Sequence, residues 1–151
     1  MLRRQRLLVA AFASVVLGLS VYATQVTRPY RDGSVWNIAF IRVKPGMNEA
    51  YMKYICDQWK AEQEALKKEK MSLSYKIMTT ENHSPTDWNM LLMTEYKDLA
   101  TMEANGPKED ALAQKLFGDD QKQMQGYKDR SEIREVMGSR LAREIVLEPR
   151  Q

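Results

Sequence analysis

The chain has 151 residues, 44% of them hydrophobic and 28% charged, with a formal net charge of +3 and one cysteine. That is one ordinary domain's worth of chain, and Cys56 alone permits no internal disulfide. Arg3, Arg4 and Arg6 account for the whole positive excess, so the charge falls to zero without residues 1–23, and with it goes the electrostatic case for nucleic acid or an anionic membrane as a partner.

Residues 1–23 begin with those three arginines and continue into an apolar heart over residues 7–19. They reach Val21-Tyr22-Ala23, with small residues at the positions a signal peptidase reads. The pattern predicts a cleaved signal peptide and a periplasmic or secreted product. An uncleaved anchor is the alternative, although the apolar run is shorter than the roughly 20 residues that cross a bilayer. Ala23 is not followed by cysteine, so no lipoprotein anchor is expected. Residues 24–33 read as a linker, and residues 34–151 as one domain with no membrane contact once the leader is removed.

Residues 35–43 (VWNIAFIRV) form the first expected strand, apolar at every position except Asn37 and Arg42. Val35, Asn37, Ala39, Ile41 and Val43 lie on one face, with Trp36, Ile38, Phe40 and Arg42 on the other. Both faces therefore demand cover, which a small domain with all its helices on one side cannot supply alone. Lys44-Pro45-Gly46 stops the strand, because proline lacks the N–H and glycine accepts an unusual backbone angle. Asn48 and Glu49 suit the first turn of a helix running to about Lys68. Its apolar stripe is Met47, Tyr51, Tyr54, Ile55, Trp59 and Leu66, with Lys60, Glu64 and Lys68 as a charged ladder elsewhere.

Residues 71–79 alternate as a strand, residues 80–87 are rich in turn formers, and residues 88–96 form a third strand antiparallel to the second. A brief helix from Lys97 is expected to stop at Asn105-Gly106-Pro107. A second runs over residues 108–117 to Gly118, and a third from Asp119 to about Met137, closed by Gly138. Residues 140–147 complete the pattern as a fourth strand. The predicted class is α+β, a ferredoxin-like split βαβ domain with a four-stranded antiparallel sheet, helices on one face and extra helices before the last strand.

The strand ending in Val43-Lys44-Pro45-Gly46, the helix bearing Tyr51, and the strand running into Thr94-Glu95-Tyr96-Lys97-Asp98 resemble the dimeric α/β-barrel superfamily. That superfamily includes antibiotic-biosynthesis monooxygenase-like and stress-responsive domains. The resemblance spans residues 34–104 and the last strand, and leaves residues 105–139 unassigned. It implies two four-stranded sheets packed face to face in a homodimer, which is the cover the first strand requires.

Haem-degrading relatives use an Asn on the first strand, a Trp after the third and a His on a later helix. Asn37 matches the first, Tyr96 stands at the second, and no histidine follows His83, so that set is broken. Asn37 and Tyr96 are candidate ligand contacts, Asn37 having as its plain alternative an amide satisfied across the dimer interior. Trp36 and Trp88 join them as possible walls of an aromatic cavity, against ordinary core packing. Arg143 is a candidate for an anionic group, against an interstrand ion pair. His83, with Glu81 and Asp87 near it in sequence, is a candidate acid–base or metal residue, against a solvated turn.

No cofactor or metal is expected, and the methionines form no cluster with histidine of the kind copper needs. Cys56 reads as a small core or boundary residue of the helix, with a disulfide across a dimer as the sharper alternative. The reading favoured is a homodimeric binding or accessory protein for a small hydrophobic molecule. The rival is a cofactor-independent monooxygenase or isomerase with Asn37, Tyr96 and Arg143 around its substrate.

Overall fold

The computed structural model describes residues 28–81, 84 and 86–147. The expected leader and His83 lie outside the described residues. The doubly apolar first strand forms as β1 (Tyr30–Val43), beginning five residues before the apolar run because its start pairs with the last strand, Tyr30 opposite Leu147. The corner after it is made as the sequence indicates, with Gly46 at φ +76° and the Met47 N–H donating to the Lys44 carbonyl at 3.0 Å.

The helix that follows is continuous but not uniform. It comprises α1 (Asn48–Tyr54), a π-helical turn (Ile55–Trp59) and α2 (Lys60–Lys68). Tyr51, Ile55, Trp59 and Gln63 are all buried and recur every fourth residue. A regular helix of about 3.6 residues per turn would rotate such a row off the sheet, and the wider π turn keeps it aligned. Lys70 in the left-handed conformation (φ +58°) ends this arm and directs the chain into β2 (Ser74–Thr79), which pairs with β3 (Met90–Tyr96).

β3 lies antiparallel against β1, and β4 (Arg134–Leu147) against the other edge of β1, giving the order β2-β3-β1-β4. With the helices on one side, this is the ferredoxin-like α+β arrangement that the sequence predicts. The core joins the sheet to the first helix: Ile41, Val43, Met90 and Leu92 pack on Tyr51, Ile55 and Trp59. β1 and β4 also extend past β3 as a two-stranded ribbon, where Tyr30, Arg31 and Asp32 pair with Leu147, Val146 and Ile145.

Between β3 and β4 the chain differs from expectation in two places. Asn105-Gly106-Pro107 does not end a helix, since α3 (Leu99–Phe117) runs through it. Asp98 caps its start by accepting from the Thr101 N–H at 2.6 Å. Proline in a helix interior costs about 3 kcal/mol or more, and the turns beyond Pro107 are held by tertiary contacts, among them the Tyr96 hydroxyl donating to Glu109 at 3.4 Å. There are thus two helices here rather than three. The second difference is at α4 (Asp120–Ser131), which ends six residues before the expected Met137. Arg134, Glu135 and Val136 pair instead with Val43, Arg42 and Ile41. Gly138, read as a helix terminator, sits in a β-bulge at φ +147°, where Met137 is the extra residue opposite the Phe40–Ile41 step.

Candidate functional site

Two surfaces carry unsatisfied chemistry. The first is the face of the sheet away from the helices. Trp36, Ile38 and Phe40 of β1 share it with Leu91 and Met93 of β3 and Met78 of β2, as the register requires. All but Met78 are half-buried within one chain and Met78 is 49% exposed, so the patch is apolar, continuous and uncovered among the described residues. Trp88 adds its ring edge-on to Phe40 at 5.3 Å. Charged groups border it: Lys76 lies 4.8 Å over the Trp36 ring, Glu95 is held by Ser74, and Arg42 pairs with Glu135.

The second surface is on the helical side. Tyr51 and Tyr54 stack at 5.7 Å, and the guanidinium of Arg130 lies 4.9 Å over Tyr54. Arg134 sits between Tyr51 at 6.0 Å and Tyr127 at 5.6 Å. This alternation of rings and cations fastens α4 to α1. Burial leaves several of its polar atoms without hydrogen-bond partners, namely the Tyr51 hydroxyl, Arg130 Nε, Arg134 Nε and Glu109 Oε1. Unsatisfied buried groups are rare enough to need an explanation, and a cleft opens beside one of them, Arg130.

The cleft has a volume of about 670 Å³. Tyr54, Asp57, Gln58, Ala61 and Glu62 form one wall, contributed by the flank of the first helix next to its sheet-facing stripe. Ala113, Leu116 and Phe117 of α3 form a second, and Lys122, Gly126 and Arg130 of α4 complete it. Asp57 and Gln58 belong to the π turn, which sets their angle to the cleft.

Electrostatics follows burial. The Glu62 carboxyl is pushed above the ordinary carboxylate range by desolvation, partly offset by Arg130 and reinforced by Glu109. Glu109 is raised by its own burial, against the lowering effect of the Tyr96 hydrogen bond. Tyr51 is pushed up to about 12 by burial, with Arg134 opposing, and Tyr96 to about 12 by burial and the neighbouring Glu109. Burial thus pushes these acids toward their uncharged forms, with arginine as the fixed charge beside them.

The sequence candidates do not converge. Trp36 and Trp88 lie on the open sheet face. Tyr96 is buried on the helical side. Asn37 shares that side's register, opposite Thr94 and Leu141, but is exposed, because the Thr94 hydroxyl and Gln63 close the core at 2.8 Å without it. Arg143 is exposed and pairs with Asp32 at 3.0 Å. Cys56 is exposed in the π turn. Among the described residues no group of His, Cys, Asp and Glu is placed to hold a metal, and no helix is long and apolar enough to cross a membrane.

Sequence reasoning missed Tyr54, Glu62, Glu109 and Arg130 as site residues. The available signal was a stripe of Tyr54, Gln58 and Glu62 at helical spacing beside the apolar one. Its partners come from α3 and α4, whose course the local signals misplaced.

No family model matches the chain, and no curated protein matches it. Among solved structures, HapK from Hahella chejuensis superposes with a TM-score of 0.49 at 12% identity, covering 73% of this chain and 91% of its own. A dimeric ferredoxin-like protein from an uncultured marine organism superposes with a TM-score of 0.38 at 19% identity, over 80% of this chain and 98% of its own. Another of the same description gives 0.41 at 12% identity, over 78% and 96%. These likenesses concern the fold alone.

Proposed function

We propose that the chain is a secreted or periplasmic homodimer, its two sheets face to face, that binds a small molecule as an accessory protein. The observation that carries the dimer is the open sheet face, where Trp36, Ile38, Phe40, Leu91 and Met93 form an apolar patch that no element among the described residues covers. A patch of this kind on a small domain marks an interaction surface. A second copy is the occupant that suits it, because β1 and β3 at its centre are apolar while Lys76 and Glu95 stand at its border with opposite charges, as a self-complementary surface requires. Export rests on the basic and apolar pattern of residues 1–23. Binding is favoured over catalysis because the cleft holds Tyr54 and a Glu62 carboxyl raised by desolvation, and among the described residues no nucleophile with an adjacent base lines it.

Expressing the full chain and recovering it from the periplasm or medium tests both halves. The expected product begins at Thr24 and runs in size exclusion with light scattering at twice the mass of one chain. Phe40→Asp, which puts a charge at the centre of the patch, gives a folded monomer. A wild-type product that stays monomeric at high concentration overturns the dimer, and one retained whole in the cytoplasm overturns export.

A further inference from the structure

We propose that the cleft between the π turn and α4 is a binding site for a small organic acid, its carboxylate held by Arg130 and its apolar body lying on Ala61, Ala113, Leu116 and Phe117. This rests on the small-molecule reading above and names the site and the ligand class.

Three observations lead to it. First, Arg130 is prepared for an anion and has none. One side of its guanidinium lies 4.9 Å over the Tyr54 ring, its buried Nε has no hydrogen-bond partner, and among the described residues no carboxylate stands within ion-pair distance of it. Stacking on an aromatic ring while the fork of donors stays open is the geometry in which arginine takes a planar carboxylate.

Second, the acids lining the cleft are already engaged or tend toward the neutral form. Asp57 pairs with Lys53 at 3.6 Å, and Asp129 accepts from the Gln125 amide at 2.8 Å. Glu62 faces Arg130 across the cleft without an ion pair or hydrogen bond between them, and desolvation favours its uncharged form. Lys122, on the same wall as Arg130, adds a second cation to the α4 side of the cleft. In its protonated form the Glu62 carboxyl can donate a hydrogen to the second oxygen of the bound carboxylate.

Third, the space and lining match. The cleft's volume of about 670 Å³ lies within the range of small-molecule sites. Its larger apolar residues, Leu116 and Phe117, come from α3, while its charged ones come from the first helix and α4, a separation that suits an amphiphilic molecule. The π turn that supplies Asp57 and Gln58 is a departure from regular helix of the kind often found at functional sites.

Octanoate, octanol and octylamine share a chain length and differ in the head group, and they serve as probes. Binding to the dimer recovered from the full chain is followed by amide chemical shifts in nuclear magnetic resonance, with light scattering on the same samples. Octanoate is expected to shift the amides of Ala61, Ala113 and Gly126, and to bind at least roughly tenfold more tightly than octanol, the discrimination of one charge-assisted contact. Octylamine is expected to bind more weakly still. Arg130→Gln removes the preference for octanoate over octanol. Ala113→Phe leaves Arg130 in place, fills the floor, and weakens all three probes. Glu62→Gln, which keeps a donor there, leaves octanoate binding intact.

The proposal is overturned if octylamine binds as tightly as octanoate, if Arg130→Gln and Ala113→Phe both leave octanoate affinity unchanged, or if no probe shifts the cleft amides. Shifts confined to other surfaces of an intact dimer remove this site while leaving the small-molecule reading standing. Failure of every probe to bind a protein that light scattering finds monomeric removes both.

Discussion

The two faces of the sheet are built from alternate residues of the same strands, yet they are treated oppositely by the rest of the chain. On the helical face Ile41 is 2% exposed and packs against Tyr51 and Ile55, and its β1 and β3 neighbours Val35, Val43, Met90 and Leu92 are likewise buried within the chain. One residue earlier, Phe40 points to the other face and meets Trp88 and little else. The difference teaches that apolarity in a strand reports a demand for cover and does not say who provides it.

The largest expected effects come from that adjacent pair. Ile41→Ala should cost about 2–5 kcal/mol of stability, as cavities in closed cores do, and the loss should be the same in a monomeric background. Phe40→Ala should cost only about 1–2 kcal/mol there, the worth of a ring contact and a half-buried side chain, and should weaken dimerisation as well. Urea unfolding at several protein concentrations separates the two terms. Equal losses at Phe40 and Ile41 in the monomer would break the comparison.

A smaller effect is expected at the edge of the helical face. Arg134→Ala removes the cation between Tyr51 and Tyr127 and should cost about 1–2 kcal/mol. Hydrogen exchange should localise the loosening to α4 and the first residues of β4, leaving β2 and β3 protected.

Alkaline pH probes the same face. Tyr51 and Tyr96 hold their protons to about 12 when folded, against 10.0 when unperturbed. The folded state therefore binds more protons across that window, so the stability they contribute is whole below pH 10 and falls as the pH rises toward 12. Tyr51→Phe removes part of that fall. At neutral pH the same substitution should change stability by less than about 0.5 kcal/mol, since the hydroxyl has no partner to lose. A large neutral-pH loss would mean that the hydroxyl is engaged.

Much of the fold was legible because its signals were local. The doubly apolar run of residues 35–43, the alternation of residues 71–79, the Pro45-Gly46 corner and the helical stripe through Tyr51, Ile55 and Trp59 each depend on neighbours in sequence. The candidate site was not legible to the same degree. Tyr96 was picked out and does lie beside Glu109, but Glu62 and Arg130 are 68 residues apart and look like ordinary solvent-facing charges until α4 folds back over the first helix.

By itself the sequence determined a split βαβ order with one strand needing cover on both sides, since hydrophobic period and turn chemistry are properties of short windows. Only the tertiary structure decided that α3 continues through Pro107, that Gly138 serves a bulge rather than a helix end, and that a cleft forms at Arg130. In each case contacts between distant segments outweighed a local preference of one to a few kcal/mol, and a local reading has no access to those contacts.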